Sequence, residues 1–241
     1  LPQVALQPND EYRSTVLKDL LKETYIIDIL ERNRVKNSAE LEELLAMLAS
    51  GIGGLTNPQK LSNTFKTVKN VSIGAPTLKS YIDYFCDAFL VEQVNRYDVK
   101  GKRYIGTPLK YYFSDLGLRN ALLNFRQVEK THLMENLIYN ELRGRGYNVD
   151  VGVVPYNGKN AQGVSFRTQL EVDFVCNKGS QRLYVQSALA LPTQEKIDQE
   201  TKSLRRINDG FQKMVVVGDH TIGSHDESGI LFINIYDFLM Q

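Results

Sequence analysis

The hydrophobic periodicity of the sequence changes near residue 126, and this change is the strongest constraint on the fold. Before it, apolar residues recur at helical spacing; after it, short runs alternate between apolar and polar residues. These runs predict helices at 131–143 and 193–207 and strands at 147–154, 168–177, 182–189, 213–217 and 230–235. Because strands and helices alternate, residues 126–241 are predicted to form an α/β domain.

The first quarter of the chain is predicted to be helical throughout. Leucine and isoleucine stripes among charged residues predict one helix over 14–34 and a second over 38–49. Ser38 is the expected N-cap of the second helix, and Gly51 follows its end. Residues 1–56 therefore read as a helical segment.

A pair of short helices followed by two strand-like runs comes next. Asn57-Pro58 and Pro76-Thr77 each open a helix, because proline loses no needed hydrogen bond at the first helical position. The strand-like runs are Phe89–Arg96 and Lys102–Ile105, around Gly101, with a third candidate at Lys110–Phe113. A helix-turn-helix followed directly by a hairpin predicts a winged helix over 57–125.

The longest segment outside this regular pattern is Tyr156–Arg167. It is rich in Gly and Asn, which predicts a long surface loop. The sequence begins at Leu1 rather than at a methionine, so we expect it to be part of a longer protein.

Basic residues are concentrated in the middle of a chain whose net charge is only +1. Residues 60–130 hold twelve Lys/Arg and six Asp/Glu, so a polyanion would be attracted there. Lys100, Lys102 and Arg103 cluster at the expected tip of the wing, and Lys79 lies on the exposed side of the second short helix. These four residues are candidate DNA contacts. A solvated surface and a protein-interaction module are the alternatives.

Acidic side chains of the α/β domain form a candidate metal site. Alternation along strand 168–177 places Glu171 and Asp173 on one face, opposite Leu170, Val172, Phe174 and Cys176. If this strand pairs with 182–189, Asp173 lies near Gln186, while Glu135 points inward from the preceding helix. Carboxylate and amide oxygens suit Mg²⁺, which can activate water against a phosphodiester.

Each of these residues also has a structural alternative. Asp173 and Glu171 could form a solvated strand face, and Gln186 could be an ordinary strand residue. Glu135 could pair with Arg143 instead of approaching the other carboxylates.

The helix–strand–strand–helix order with Glu135, Asp173 and Gln186-Ser187-Ala188 resembles the PD-(D/E)XK nuclease fold. In active members of that fold, the second strand carries a (D/E)-x-K triplet. Here the triplet reads Gln-Ser-Ala, so an acidic ligand and a lysine are both replaced by neutral residues. The resemblance implies a degenerate catalytic set at Glu135, Glu171, Asp173 and Gln186, with hydrolysis absent or very slow.

Four segments in order resemble the C-terminal region of a large family of bacterial and archaeal AAA-type ATPases. They are VSIGAPTLKSYIDYFCDAFL at 71–90, YYFSDLGL at 111–118, MENLIYNELRGRG at 134–146 and EVDF at 171–174. In that family an N-terminal P-loop domain precedes a winged helix and a nuclease-related domain of unknown function. No G-x-x-x-x-G-K-[ST] occurs in this chain, so ATP is expected to bind only in a separate ATPase domain. Residues 1–56 resemble the end of the ATPase lid.

The resemblance implies that this region supplies nucleic-acid recognition and regulation to an ATPase. A metal-dependent nuclease and a protein-interaction scaffold are the alternatives, and expected partners are DNA, the ATPase domain and another protein or a second copy. Cys86 and Cys176 form no CxxC motif or disulfide framework, which favours a reducing, cytoplasmic location. No apolar run reaches the roughly 18 residues of a membrane helix, so no membrane partner is expected.

Overall fold

The computed structural model describes residues 1–126, 129–159, 163–219 and 223–241. Contacts between residues divide the chain into two compact units. The first unit comprises Leu1–Gln93 and Pro108–Glu129, and the second comprises Val94–Thr107 and Lys130–Gln241. The turn region of the hairpin at 94–107 therefore belongs with the second half of the chain. The division of the first unit into a helical segment and a winged helix stays a prediction.

The first unit is mainly helical. Its helices are α1 (Pro2–Ala5), α2 (Asp10–Asp19), α3 (Ile27–Arg32), α4 (Ser38–Ser50), α5 (Pro58–Thr64), α6 (Ala75–Asp87) and α7 (Leu116–Leu122). A π-helical segment, Leu20–Ile26, joins α2 to α3. The helix predicted over 14–34 therefore begins four residues earlier and ends two residues earlier than expected.

The starts of these helices follow from their capping residues. The side chain of Asn57 accepts the backbone N–H of Lys60 at the start of α5, and Pro58 occupies the first turn as predicted. Asn37, not Ser38, precedes the first residue of α4, and its side chain makes no cap hydrogen bond. Asp115 caps α7 by accepting the N–H of Leu118. This short helix was not predicted from the sequence.

The core of the first unit is built from the predicted apolar stripes. The buried side chains of α4 and α6 include Leu41, Leu44, Leu45, Leu48, Leu78, Tyr81, Ile82 and Phe85. Arg119 of α7 is also buried, and its Nε donates to the carbonyl of Ala49 over 2.9 Å. The guanidinium thereby satisfies a carbonyl near the end of α4, where no further helical turn can do so.

Within the described residues, eight strands form a single sheet, and β1 and β2 are divided between the two units. The strands are β1 (Val91–Asp98), β2 (Arg103–Phe113), β3 (Asn148–Lys159), β4 (Ser165–Lys178), β5 (Gln181–Ala188), β6 (Gln212–Val217), β7 (Ser224–His225) and β8 (Leu231–Asn234). Their order is β2-β1-β3-β4-β5-β6-β8-β7. Pairing is parallel for β1–β3, β5–β6 and β6–β8, and antiparallel for β3–β4, β4–β5 and β7–β8. The mixed α/β prediction is confirmed.

Helices cover both faces of this sheet in the second unit. They are α8 (Lys130–Gly144), α9 (Gln194–Thr201) and α10 (Ile235–Met240), with a short 3₁₀ turn at Leu204–Arg206. A buried apolar cluster that includes Val172, Val175 and Tyr184 lies on one face, where Ile197 of α9 packs against it. Tyr139 of α8 contacts Phe174. Because Phe174 adjoins Val175, which faces the apolar cluster, its side chain points to the opposite face, and α8 therefore lies there.

Strand β4 contains a bulge that the predicted alternation did not include. Asp150 pairs with Val175, but Gly152 pairs with Val172, so β4 has one extra residue at this point. Val172 and Val175 consequently face the same apolar cluster. The prediction that Leu170, Val172, Phe174 and Cys176 share one face is therefore wrong beyond Val172.

Other elements also differ from the predictions. Most of Tyr156–Arg167, predicted as a loop, continues β3 and β4 as a hairpin that pairs Lys159 with Ser165. Lys102–Ile105 and Lys110–Phe113 belong largely to one long strand, β2. The helix predicted over 193–207 ends at Thr201, and α10 follows β8 unpredicted.

Neither cysteine forms a disulfide. Cys176 is buried and Cys86 is half-buried, and burial raises the pKa of the Cys86 thiol to about 11. Both thiols are therefore expected to be poor nucleophiles at neutral pH. In the described part of the chain, no helix combines the length and apolar character needed to cross a membrane.

The bulge gives a stability prediction at Gly152. A Cβ atom there would lie 2.8 Å from Val175 and 2.9 Å from Val172, so Gly152→Ala should lower the free energy of unfolding by about 1–3 kcal/mol. Gly144→Ala is the matched control, because a Cβ at that helical position meets nothing within 4 Å. Chemical denaturation should show the control unchanged or slightly stabilised. Equal stability of both variants would contradict the bulge packing.

Candidate functional site

Asp173 and Gln186 lie where the pairing between β4 and β5 ends. The last paired residues are Phe174 and Val185, while β5 continues to pair with β6 through Ala188. Beyond that point, side chains replace the backbone ladder. Asp173 Oδ2 accepts the N–H of Ser187 over 2.8 Å, and Gln186 Oε1 accepts the N–H of Asp173 over 3.3 Å. The predicted proximity of Asp173 and Gln186 is confirmed, and both side chains satisfy backbone groups.

Helix α9 adds two charged residues that the sequence analysis missed. Gln186 Nε2 lies 3.4 Å from Glu200 Oε2, and Lys196 Nζ lies 2.5 Å from Glu200 Oε1. Their i,i+4 spacing within the predicted helix was visible in the sequence. Nothing in the sequence indicated that this pair would meet Gln186, because the contact depends on how α9 packs on the sheet.

The predicted metal-site residues do not share one face of the sheet. Gln186 lies between Tyr184 and Ala188, which are both in the apolar cluster on the α9 side. Glu171 pairs with Val153, next to Leu170 and Val154 of that cluster, so alternation directs Glu171 to the α8 side.

Glu135 is buried in α8, on the same side as Glu171. Among the residues described, no three or more His, Cys, Asp or Glu side chains are grouped so that they could hold a metal ion. Mg²⁺ binding by Asp173 and Glu171 remains a prediction.

Ala188 is the residue that the predicted nuclease resemblance aligns with the lysine of the triplet. Its side chain is 3% exposed and belongs to the apolar cluster. Directly beside it, a surface pocket of about 540 Å³ is lined by residues of β5, α8 and α9, including Ser187, Thr131, Thr193, Lys196 and Glu200. The Ser187 hydroxyl is buried and has no hydrogen-bond partner among the described atoms.

Three of the four predicted DNA contacts lie together in the second unit. Lys100 and Lys102 are exposed in the turn between β1 and β2, and Arg103 is exposed at the first position of β2. Asp98 shapes this turn by accepting the N–H groups of Lys100 and Gly101 over 3.1 and 2.8 Å. Its Oδ2 lies 3.9 Å from Arg103 Nε, a distant ion pair that leaves most of the positive charge unneutralised.

Lys79 lies in the first unit, on α6. Its Nζ is 2.7 Å from Asp83 Oδ2, one helical turn away. An exposed i,i+4 pair of this kind is weak, but it reduces the local positive charge. The basic character therefore rests chiefly on the β1–β2 turn.

A second polar cluster, in the second unit, consists of groups that are already paired with one another. Asp150 is buried, which raises the pKa of its carboxyl, whereas the Tyr104 hydroxyl at 3.3 Å and the Arg182 guanidinium act in the opposite direction. The Tyr184 hydroxyl donates to Asp209 Oδ2 over 2.6 Å, and burial raises the pKa of Tyr184 to about 12. Since each group already has a partner, we assign this cluster a structural role.

A family described as "Domain of unknown function (DUF8612)" matches residues 1–129. This match covers more than half of the 241 residues. The chain belongs to this family. The match ends at Glu129, which is also the last residue of the first unit.

Two proteins of known sequence are similar to almost the whole chain. An "Uncharacterized protein" of Haemophilus influenzae is 31% identical over 233 residues, which cover 97% of this chain and 54% of that protein. "Uncharacterized protein MJ1544" of Methanocaldococcus jannaschii is 26% identical over 222 residues, which cover 89% of this chain and 49% of that protein. The chain thus spans about half the length of the curated relatives it matches. No solved structure matches it significantly.

The Asp173 contacts give a second stability prediction. Asp173→Ala removes the acceptor of a backbone N–H, so the free energy of unfolding should fall by about 1–3 kcal/mol. Asp173→Asn keeps an acceptor oxygen and should cost less. Glu227→Ala, at an exposed position, is the control and should stay within about 0.5 kcal/mol of the parent chain. A stable Asp173→Ala would mean that the carboxylate has no structural role.

Proposed function

We propose that this chain is the nucleic-acid-binding and regulatory region of a larger AAA-type ATPase, and that its nuclease-like domain does not hydrolyse nucleic acid. The observation that carries the proposal is the group of exposed cations at the β1–β2 turn. ATP would be bound by another domain of the parent protein. Mg²⁺, a second copy of the chain and other proteins are further candidate partners.

The order of elements supports the finer fold assignments. Helices α5 and α6 are followed directly by the β1–β2 hairpin, as in a winged helix. Helix α8, strands β3 to β5 and helix α9 follow one another as in the nuclease-like fold that the sequence resembles. The relatives are about twice as long as the matched region, which leaves room in those proteins for an ATPase domain.

The electrostatics of the turn favour a polyanionic partner. Lys100 and Lys102 are exposed, and no described carboxylate lies within ion-pair distance of either. Each cation that neutralises a phosphate releases counterions, which makes binding favourable at low salt. Three such contacts would give weak binding without sequence specificity, which suits a regulatory region.

The proposed lack of hydrolysis follows from the contacts of Gln186 and Ala188. Gln186 Oε1 accepts the N–H of Asp173 and, as a neutral amide oxygen, brings no negative charge to an ion. Ala188 supplies no cation to stabilise the developing phosphorane charge. Loss of one preorganised donor typically lowers the rate by about 10²–10³-fold, and a ligand charge is missing as well.

Salt-dependent DNA binding tests the proposal. Replacement of Lys100, Lys102 and Arg103 by Ala should reduce the slope of log K against log salt on duplex DNA by about 2.7, because each phosphate contact contributes about 0.9. Fluorescence anisotropy with a labelled duplex measures this slope. Lys18, Lys22 and Lys36, which are exposed in the first unit, provide a charge-matched triple-Ala control.

The control variant should keep the parent slope. If the parent chain does not bind at low salt, or if both triple variants change the slope equally, the turn is not a nucleic-acid contact.

A metal-dependent nuclease is the second candidate, and the position of α9 favours it. Lys196 and Glu200 supply, beside Gln186, a cation and a carboxylate of the kinds that the triplet lacks. Against this candidate, Glu200 is paired with Lys196 and lies on the face opposite Glu171. The balance therefore favours a site without hydrolysis.

A cleavage assay decides between the two candidates. Plasmid and single-stranded DNA with Mg²⁺ or Mn²⁺ should remain intact with the parent chain, as with Asp173→Asn prepared in the same way. Cleavage that is lost in both Asp173→Asn and Lys196→Gln would establish the nuclease instead. Cleavage that persists in both variants would indicate a contaminating enzyme. Gln186→Glu restores the acidic ligand at a half-buried position, so it is the informative gain-of-function variant.

A further inference from the structure

An aromatic pair, formed by the half-buried Tyr156 and the exposed Phe166, lies near the paired end of β3 and β4. The rings of Tyr156 and Phe166 meet edge to face with centroids 6.0 Å apart, and 43% of the Phe166 surface is exposed. Gly158 lies beneath them, where a Cβ atom would be 2.7 Å from the Phe166 ring and 2.9 Å from the Tyr156 ring. The pair therefore depends on a glycine and is a built feature of the hairpin.

Two cations lie against this pair. The guanidinium carbon of Arg206 is 4.2 Å and the ammonium nitrogen of Lys202 is 4.8 Å from the centroid of the Tyr156 ring. Both side chains are exposed, and neither forms an ion pair with a described carboxylate. A cation–π contact orients a charge without neutralising it, so the positive potential remains available to an anion.

The aromatic pair lies at the same end of the sheet as the basic turn. Val99, the residue before Lys100, donates its N–H to the carbonyl of Val153 on β3. Tyr156 is three residues further along β3, a rise of about 10 Å at 3.3 Å per residue. A chain of a few nucleotides can therefore span both features.

We propose that Phe166, Tyr156, Lys202 and Arg206 form a stacking surface for single-stranded nucleic acid. The proposal rests on the proposed nucleic-acid-binding function and specifies its substrate. Phe166 stacks on a base while Lys202 and Arg206 contact adjacent phosphates. A base face is accessible to a ring only when the strand is unpaired, so the surface favours single strands over duplex.

The test compares a labelled 20-nucleotide single strand with its duplex by fluorescence anisotropy, using the full 241-residue chain. Phe166→Ala should weaken single-strand binding by about 5- to 150-fold and leave duplex binding within about twofold. Phe166→Trp should retain single-strand affinity, and Phe166→Leu should not. Tyr12→Ala removes an exposed aromatic residue of the first unit and is the matched control.

Charge removal gives an independent measurement. Lys202→Gln combined with Arg206→Gln should reduce the single-strand salt slope by about 1.4, since each contact contributes about 0.7. The unaltered chain separates the two proposals: no binding of either nucleic acid contradicts the proposed function itself. Salt-sensitive duplex binding with no effect of Phe166→Ala on single strands contradicts only the stacking surface. If Phe166→Ala loses binding to phosphatidylserine vesicles while its single-strand affinity is unchanged, the surface binds membranes and the proposal is overturned.

Discussion

The geometry of the second unit depends on one extra residue in β4. Because β4 gains a residue opposite Gly152, Val172 and Val175 both enter the apolar cluster, and Asp173 lies beside the point where the β4–β5 ladder stops. The carboxylate of Asp173 then accepts the backbone N–H of Ser187, and Gln186 Oε1 accepts the N–H of Asp173. Because of the bulge, Asp173 and Gln186, which look catalytic in the sequence, instead hydrogen-bond backbone groups at the end of the β4–β5 ladder.

The sequence predicted which helices and strands form better than it predicted the face on which each side chain of β4 lies. Helical stripes in α4 and α6, the proline-led start of α5 and the strand–helix order after residue 126 all follow from local periodicity. The bulge was not predicted because Phe174, Val175 and Cys176 are all apolar and buried, so their polarity does not mark the change of face. The β3–β4 hairpin escaped because Gly158, read as a loop signal, instead makes room for two aromatic rings.

The candidate site could be predicted only in part, because its contacts join distant segments. Asp173 and Gln186 were placed together by strand pairing, a short-range rule that held. Glu200, paired with Lys196, contacts Gln186 only because α9 packs on the sheet, and the alternation of a paired strand directs Glu171 to the other face. Charge composition likewise pointed to Lys100, Lys102 and Arg103, but not to Lys202 and Arg206 beside an aromatic ring.

The central claim is that one end of the sheet in the second unit binds nucleic acid without cleaving it. Hydrogen–deuterium exchange of the full chain, with and without a single-stranded oligonucleotide, tests this most directly. The account predicts slower exchange in peptides covering residues 99–104 and 165–169, with the oligonucleotide recovered intact in the presence of Mg²⁺. Protection confined to the first unit, or a degraded oligonucleotide with the parent chain but not with Asp173→Asn, would contradict it.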